Sequence, residues 1–182
     1  SYGLHSQVLQ ARDGEGCVVQ FHYNDRLQLL DVAWPAGERT QIIYDSNENP
    51  ASSLDALGRL TSFQYGGSLN QLSKITDARG NSLNYGFDAV GNLTSITYPD
   101  SSRELFRKDA MGNTITHTNR RGIAVSFTYN AAGQITSKDH ADTAGVDFTY
   151  SYDGAGNLTN YTDSFGSTRL AYDPITDLLT RI

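Results

Sequence analysis

"YDGAGNLTNYTDSFGSTRLAYD", residues 152–173, opens and closes on a Tyr-Asp pair and holds two Gly-containing turns between them. Equivalent turns elsewhere are marked by Gly16, Gly37, Gly58, Gly80, Gly122, Gly145 and Gly166, spaced 21 to 23 residues apart once Ser101 is placed in the gap after Gly80. Seven residues after each marker stand Tyr23, Tyr44, Tyr65, Phe87, Lys108, Tyr129 and Tyr152, and six after the last stands Tyr172. A fixed period of this length marks a repeat array, in which one supersecondary unit is laid beside the next. About eight units fill the 182 residues, and the chain begins and ends inside a unit, so we expect a single array that is a fragment of a longer protein.

Each unit has two turns. The first reads D-x-x-G in "DGEG" (13–16), "DALG" (55–58), "DARG" (77–80) and "DSFG" (163–166), so Asp55 and Gly58, Asp77 and Gly80, and Asp163 and Gly166 bracket it. Asp first and Gly fourth suit a type I turn, because the carboxylate accepts hydrogen bonds from nearby backbone N–H groups. The second reads aromatic-D-x-x-G-N in "FDAVGN" (87–92) and "YDGAGN" (152–157), with "KDAMGN" (108–113) and "YNAAGQ" (129–134) as variants. Its markers are Asp88 and Gly91, Asp109 and Gly112, and Asp153 and Gly156, and here glycine answers a need for positive φ. The sequence thus assigns the two turns different chemistry.

Two turns imply two strands. After each first turn, residues three, five and seven are Val19, Phe21, Tyr23; Thr40, Ile42, Tyr44; Thr61, Phe63, Tyr65; Leu83, Tyr85, Phe87; Val125, Phe127, Tyr129; and Phe148, Tyr150, Tyr152. This period of two puts the aromatics on one face of a strand. Partner segments such as "LTSITY" (93–98) and "LTNYT" (158–162) also read as strands, but their two faces are not distinguished. The fold class is all-β: tandem antiparallel hairpins of about 21 residues in one sheet, wide enough to be curved, spiralling or closed, or to pair its apolar face with a second copy. The length suffices for a substantial core.

Composition narrows the function. A formal charge of −6 and the lack of a basic stripe argue against nucleic acid as partner. No apolar run is long enough for membrane insertion by a helix, and "SYGLHSQVLQ" (1–10) has no signal-peptide core. The single Cys17 cannot form an internal disulfide. No Ser-His-Asp or Cys-His grouping, phosphate loop or zinc pattern stands out, so no catalytic residue, cofactor or metal is assigned and the segment is read as non-enzymatic.

"FDAVGNLTSI" (87–96), "YNAAGQITS" (129–137), "YDGAGNLTNY" (152–161) and "YDPITDLLTRI" (172–182) closely resemble the YD repeats of the Rhs family, found also in toxin-complex C components and in teneurins. The resemblance spans essentially the whole chain, more loosely over the first 40 residues. It implies a strip of hairpins winding into a hollow shell, which in bacterial members encloses a toxic or variable C-terminal segment and in animal members belongs to a cell-surface adhesion protein. The partners it implies are the remainder of the chain, a secreted or surface location being expected.

Other readings compete with that one. Tyr23, Tyr44, Tyr65, Tyr85, Tyr129, Tyr150 and Tyr152 could form a carbohydrate- or receptor-binding platform; their spacing favours a packing ladder between repeats instead. One Asp per turn offers too few oxygens for calcium, so turn capping is preferred. His117 and His140 could share a metal, against a reading as hydrogen-bonded strand residues. The unit "YPDSSRELFRKDAMGN" (98–113) is the most divergent and most charged, with Ser101 and Lys108 replacing glycine and aromatic, and reads as an opening or contact in the sheet or as drift.

Overall fold

The computed structural model describes residues 1–145 and 147–182. It falls into two compact units, Ser1–Asn84 and Tyr85–Ile182. In the first, β1 (Gln10–Arg12), β2 (Val18–Tyr23), β3 (Leu29–Ala33), β4 (Arg39–Tyr44), β5 (Pro50–Leu54), β6 (Leu60–Gly66) and β7 (Gln71–Thr76) each pair antiparallel with the next, and β7 pairs with the start of β8 (Ser82–Phe87). In the second, the same meander runs through β9 (Leu93–Thr97), β10 (Arg103–Lys108), β11 (Thr114–Thr118), β12 (Ala124–Tyr129), β13 (Ile135–His140), β14 (Phe148–Tyr152), β15 (Leu158–Asp163) and β16 (Gly166–Arg169). β17 (Ala171–Tyr172) and β18 (Leu179–Arg181) form a separate pair. Sheet order is chain order from β1 to β16, which are its two edges, so the sheet is open and not closed. Among the described residues there is no helix.

The aromatic face is where the sequence puts it. In β2 the side chains of Val19, Phe21 and Tyr23 are half-buried while Gln20 and His22 are exposed, and β4, β12 and β14 alternate likewise. The partner strands behave differently for a physical reason that spacing conceals. In β3 the register runs His22 to Asp31 and then Tyr23 to Leu29, skipping Leu30. The same skip occurs opposite Tyr44, Tyr65, Lys108, Tyr129, Tyr152 and Tyr172, leaving Ala51, Ser73, Ile115, Thr136, Thr159 and Thr180 unpaired. Each is a β-bulge, one extra residue that reverses which face the following side chains take. The hydroxyls of Ser73, Thr159 and Thr180 donate to the carbonyls of Gln64, Ser151 and Ala171, a bond that these small polar residues make at the bulge itself.

Two expectations are corrected here. The two turn classes share one geometry. At Asp55 the backbone N–H donates to Arg59 O (3.1 Å) and Gly58 N–H to Asp55 O (2.9 Å); at Asp88 the corresponding bonds to Asn92 O and from Gly91 are 3.0 and 3.1 Å. The fourth residue is left-handed in both, φ 75° at Gly58 and 94° at Gly91, so glycine serves the same end in each. Leu27, Glu48 and Ser101 take that conformation without being glycine, at φ 64°, 69° and 67°. The "DSFG" turn stands apart: Asp163 pairs with Gly166 across a two-residue loop.

The expected core does not form either. Among the described residues none is buried, hydrophobic or polar. A single layer of strands has no facing layer to cover its apolar side, and chain length alone does not supply one.

Candidate functional site

Tyr44 shows what the aromatic column does. Its ring lies on the half-buried face, and its hydroxyl donates to Leu29 O at 2.9 Å, fifteen residues back. Leu29 is the residue opposite Tyr23 in the preceding hairpin. The bond recurs from Tyr23 to Val8 O (3.0 Å), Tyr65 to Pro50 O (3.1 Å), Tyr129 to Thr114 O (2.7 Å), Tyr152 to Ile135 O (2.9 Å) and Tyr172 to Leu158 O (3.1 Å). Pro50, Thr114, Ile135 and Leu158 are in turn the residues opposite Tyr44, Lys108, Tyr129 and Tyr152. Each tyrosine therefore stitches its rib to the one before, and from Tyr44 onward the acceptor lies at the start of a bulged strand. Burial raises the Tyr65 and Tyr129 phenols above their ordinary range, so the hydroxyls stay protonated donors. With hydroxyls committed to backbone, these tyrosines act as packing and stitching residues. Phe87 ends β8 with no hydroxyl to offer, and Tyr150 stacks on Phe148 at 6.4 Å.

The turn aspartates are equally occupied. Asp88 Oδ1 accepts from Val90 and Asn92 N–H (3.0 and 2.8 Å), and Oδ2 accepts from the Asn92 amide (3.0 Å). Asp109 and Asp153 repeat this with Asn113 and Asn157, and Asp77 with Asn81. Asp55 Oδ2 instead takes Arg59 Nε at 2.6 Å. The Asn92 side chain, then its backbone N–H, holds the Asp88 carboxyl below the usual range. Gly80, Gly112 and Gly156 sit at φ 85°, 87° and 97°, in the same place as Gly58 and Gly91. The carboxylates are caps, spent within their own turns.

The divergent unit at 98–113 carries a stitch of other chemistry. Tyr98 donates to Glu104 Oε1 at 2.8 Å, and His117 Nε2 lies 2.9 Å from Glu104 Oε2. The Phe106 ring stacks on His117 with centroids 4.8 Å apart and 3° between planes. Arg120 lies 4.1 Å from the Tyr98 ring centroid and donates to Asp100 Oδ2 (2.6 Å) and Ser102 Oγ (2.8 Å). Lys108 donates Nζ to Thr114 Oγ1 at 2.8 Å. The Tyr98 hydroxyl and then His117 hold the Glu104 carboxyl low, while the same bond pushes the Tyr98 phenol up. The cluster thus ties together two neighbouring turns and the two strands between them. His117 and Arg120 lie outside the stretch that the sequence singles out, and no spacing connects them to Glu104.

His140 bonds Asp147, whose other oxygen takes Thr143 Oγ1 at 2.6 Å. His117 and His140 are thus each engaged with a carboxylate of their own.

Residues 44–82 and 68–103 match the RHS Repeat family. The chain is 32% identical over 163 residues to the "Probable deoxyribonuclease RhsB" of Dickeya dadantii (strain 3937), covering 88% of this chain and 11% of that protein. It is 28% identical over 152 residues to the "Double-stranded DNA deaminase toxin A" of Burkholderia cenocepacia (strain H111), covering 72% of this chain and 10% of that protein. The chain thus spans about a tenth of the length of these relatives. In fold it resembles a chain of the Photorhabdus luminescens Tc holotoxin pore structure, with TM-score 0.58, 15% identity, and coverage of 100% of this chain and 10% of that one. A crystal structure of TcdB2-TccC3 matches at TM-score 0.50 and 13% identity over 96% of this chain and 14% of that one. Repeat period, hairpin array and sequence matches agree: the chain belongs to the YD-repeat, or Rhs, family.

Proposed function

We propose that this segment is a length of wall in a β-strand shell, itself non-enzymatic, that encloses or displays a toxic or variable cargo carried elsewhere in a longer secreted or cell-surface protein. The observation that carries the reading is the single-layered sheet in which no described residue is buried although one face bears the aromatic column. Such a sheet has a side left to face contents. The relatives named as a DNA deaminase toxin and a probable deoxyribonuclease match this chain over about a tenth of their lengths. We assign the chemistry of those names to the rest of such proteins, beyond the part that matches this chain.

Limited proteolysis of a full-length protein containing the segment tests the proposal. The C-terminal cargo should resist protease in the intact protein and be digested when Tyr129 and Tyr152 are both changed to alanine. Equal digestion of the cargo with and without the repeats would overturn the container reading. DNA deaminase or nuclease activity in residues 1–182 alone would overturn the non-enzymatic one.

A further inference from the structure

The turns that begin at Asp13, Trp34 and Asp55 are neighbours on one edge of the N-terminal unit, and together they line a cavity of about 620 Å³. Its wall is apolar, from Val19, Pro35 and Ala56, with Trp34 beside them and two carboxylates, Asp13 and Glu38. Among the described residues no lysine, arginine or histidine lines it.

Trp34 is out of place by the rules of its own repeat. It occupies the position that Asp13, Asp55 and Asp77 use to cap the same turn, and it is the only tryptophan in the chain. The turn still closes, with Trp34 N–H on Glu38 O at 2.9 Å and Gly37 N–H on Trp34 O at 3.0 Å, and Pro35 presets the second position. The side-chain cap on the Ala36 and Glu38 amides is forgone. In return the indole remains 39% exposed. Trp34 thus gives up a local cap and leaves part of a large ring open to solvent among apolar residues and two carboxylates, which marks a candidate site. The acids nearby are available. Asp13 Oδ1 takes both the Glu15 and Cys17 amides, at 3.0 and 2.9 Å, which leaves Oδ2 with no partner among the described residues. The Glu38 carboxylate likewise has none, since Arg39 beside it turns to Asp31 at 3.7 Å. Arg12 lies along Gly16, apart from the lining.

We propose that this groove binds an organic ammonium ion. The cation rests on the indole and pairs with Asp13 and Glu38, while its alkyl part runs along Val19, Pro35 and Ala56. An aromatic face with adjacent carboxylates attracts ammonium through the ring quadrupole and through charge, and an apolar wall gives the alkyl part a place that water does not favour. A free small amine and a lysine side chain of a polypeptide share this chemistry.

Because Trp34 is the single tryptophan, its fluorescence reports this groove and nothing else. The 182-residue chain is titrated with choline, with its uncharged isostere 3,3-dimethylbutan-1-ol, and with Nα-acetyl-lysine amide. We expect a saturable change with choline or the lysine amide, the stronger of the two naming the source, and about tenfold weaker binding of the isostere. Glu38→Gln should weaken the charged ligand about fivefold with the thermal unfolding midpoint unchanged, since Glu38 caps nothing through its side chain. Asp13→Asn, which keeps an acceptor for both amides, should weaken it similarly. By calorimetry Trp34→Ala should show no binding. Isostere and choline binding equally, or no saturable change with either charged ligand, overturns the proposal.

Discussion

Replacing Tyr129 by phenylalanine isolates the stitch from the ring. The substitution keeps the aromatic in its place on β12 and removes only the hydroxyl that donates to Thr114 O at 2.7 Å. A hydrogen bond of this kind contributes about 0.5–1.5 kcal/mol net. In a chain of this size about 1 kcal/mol corresponds to a fall in melting temperature of about 2–4 °C. Tyr150→Phe is the internal control: Tyr150 lies on the same face, stacks on Phe148, and its hydroxyl makes no hydrogen bond among the described residues. It should stay within about 0.5 kcal/mol of the parent. Urea unfolding followed by far-UV circular dichroism measures both, with the midpoint moving and the slope unchanged. Tyr44→Phe, in the other compact unit, should cost the same as Tyr129→Phe, and the two losses should add. Equal losses for Tyr150→Phe and Tyr129→Phe would show that the column is held by its rings alone, and the stitch would then carry no energy.

Other perturbations follow from the turns and bulges. Gly58→Ala meets open space but must hold φ near 75°, so it should cost about 1–2 kcal/mol in the same unfolding assay; Leu27→Gly, relieving φ 64° at an exposed side chain, should gain up to about 1 kcal/mol. Asp88, Asp109 and Asp153 are all held below their unfolded value, chiefly by bonds from Asn92, Asn113 and Asn157. Their contribution is therefore fully present above the ordinary carboxylate range and is lost as pH falls through the lower folded values. The urea midpoint should drop between about pH 5 and pH 3, and a flat profile would refute the capping role. Deleting Thr159 removes the bulge and turns Asn160–Asp163 to the opposite face, so the β14–β15–β16 amide signals should lose their native NMR pattern, whereas Thr159→Ala should preserve it.

The legible and illegible parts of this fold divide by whether a signal is local. Strand alternation at Val125, Phe127 and Tyr129 is written in adjacent residues, and so are the turns at Asp88 and Asp153. The identity of the two turn classes was hidden because Leu27, Glu48 and Ser101 accept a left-handed backbone where glycine is the usual signal. The bulge was hidden because it belongs to a pair of strands. Nothing in "LTNYT" announces that Thr159 has no partner, and only the register opposite Ser151 and Tyr152 reveals it. What looked like a strand with two equivalent faces is a strand whose alternation is reset after its second residue. The Glu104 cluster was invisible for the same reason, its members coming from two turns and two strands.

Bulge and stitch together explain how a degenerate repeat keeps its register. The bulge is placed directly opposite the tyrosine, so the carbonyl at the start of each bulged strand is fixed relative to that ring. The next tyrosine bonds that carbonyl. Each rib therefore inherits its alignment from the one before, and the coupling is between nearest neighbours, as in other repeat arrays. The relay should be weakest where the hydroxyl is missing. Phe87 and Lys108 are consecutive in the array, and both lack it. The rib with Lys108 is the one in which Tyr98, Glu104, His117 and Arg120 build a substitute from charge and stacking. The most divergent unit is thus the one where alignment must be held by other means.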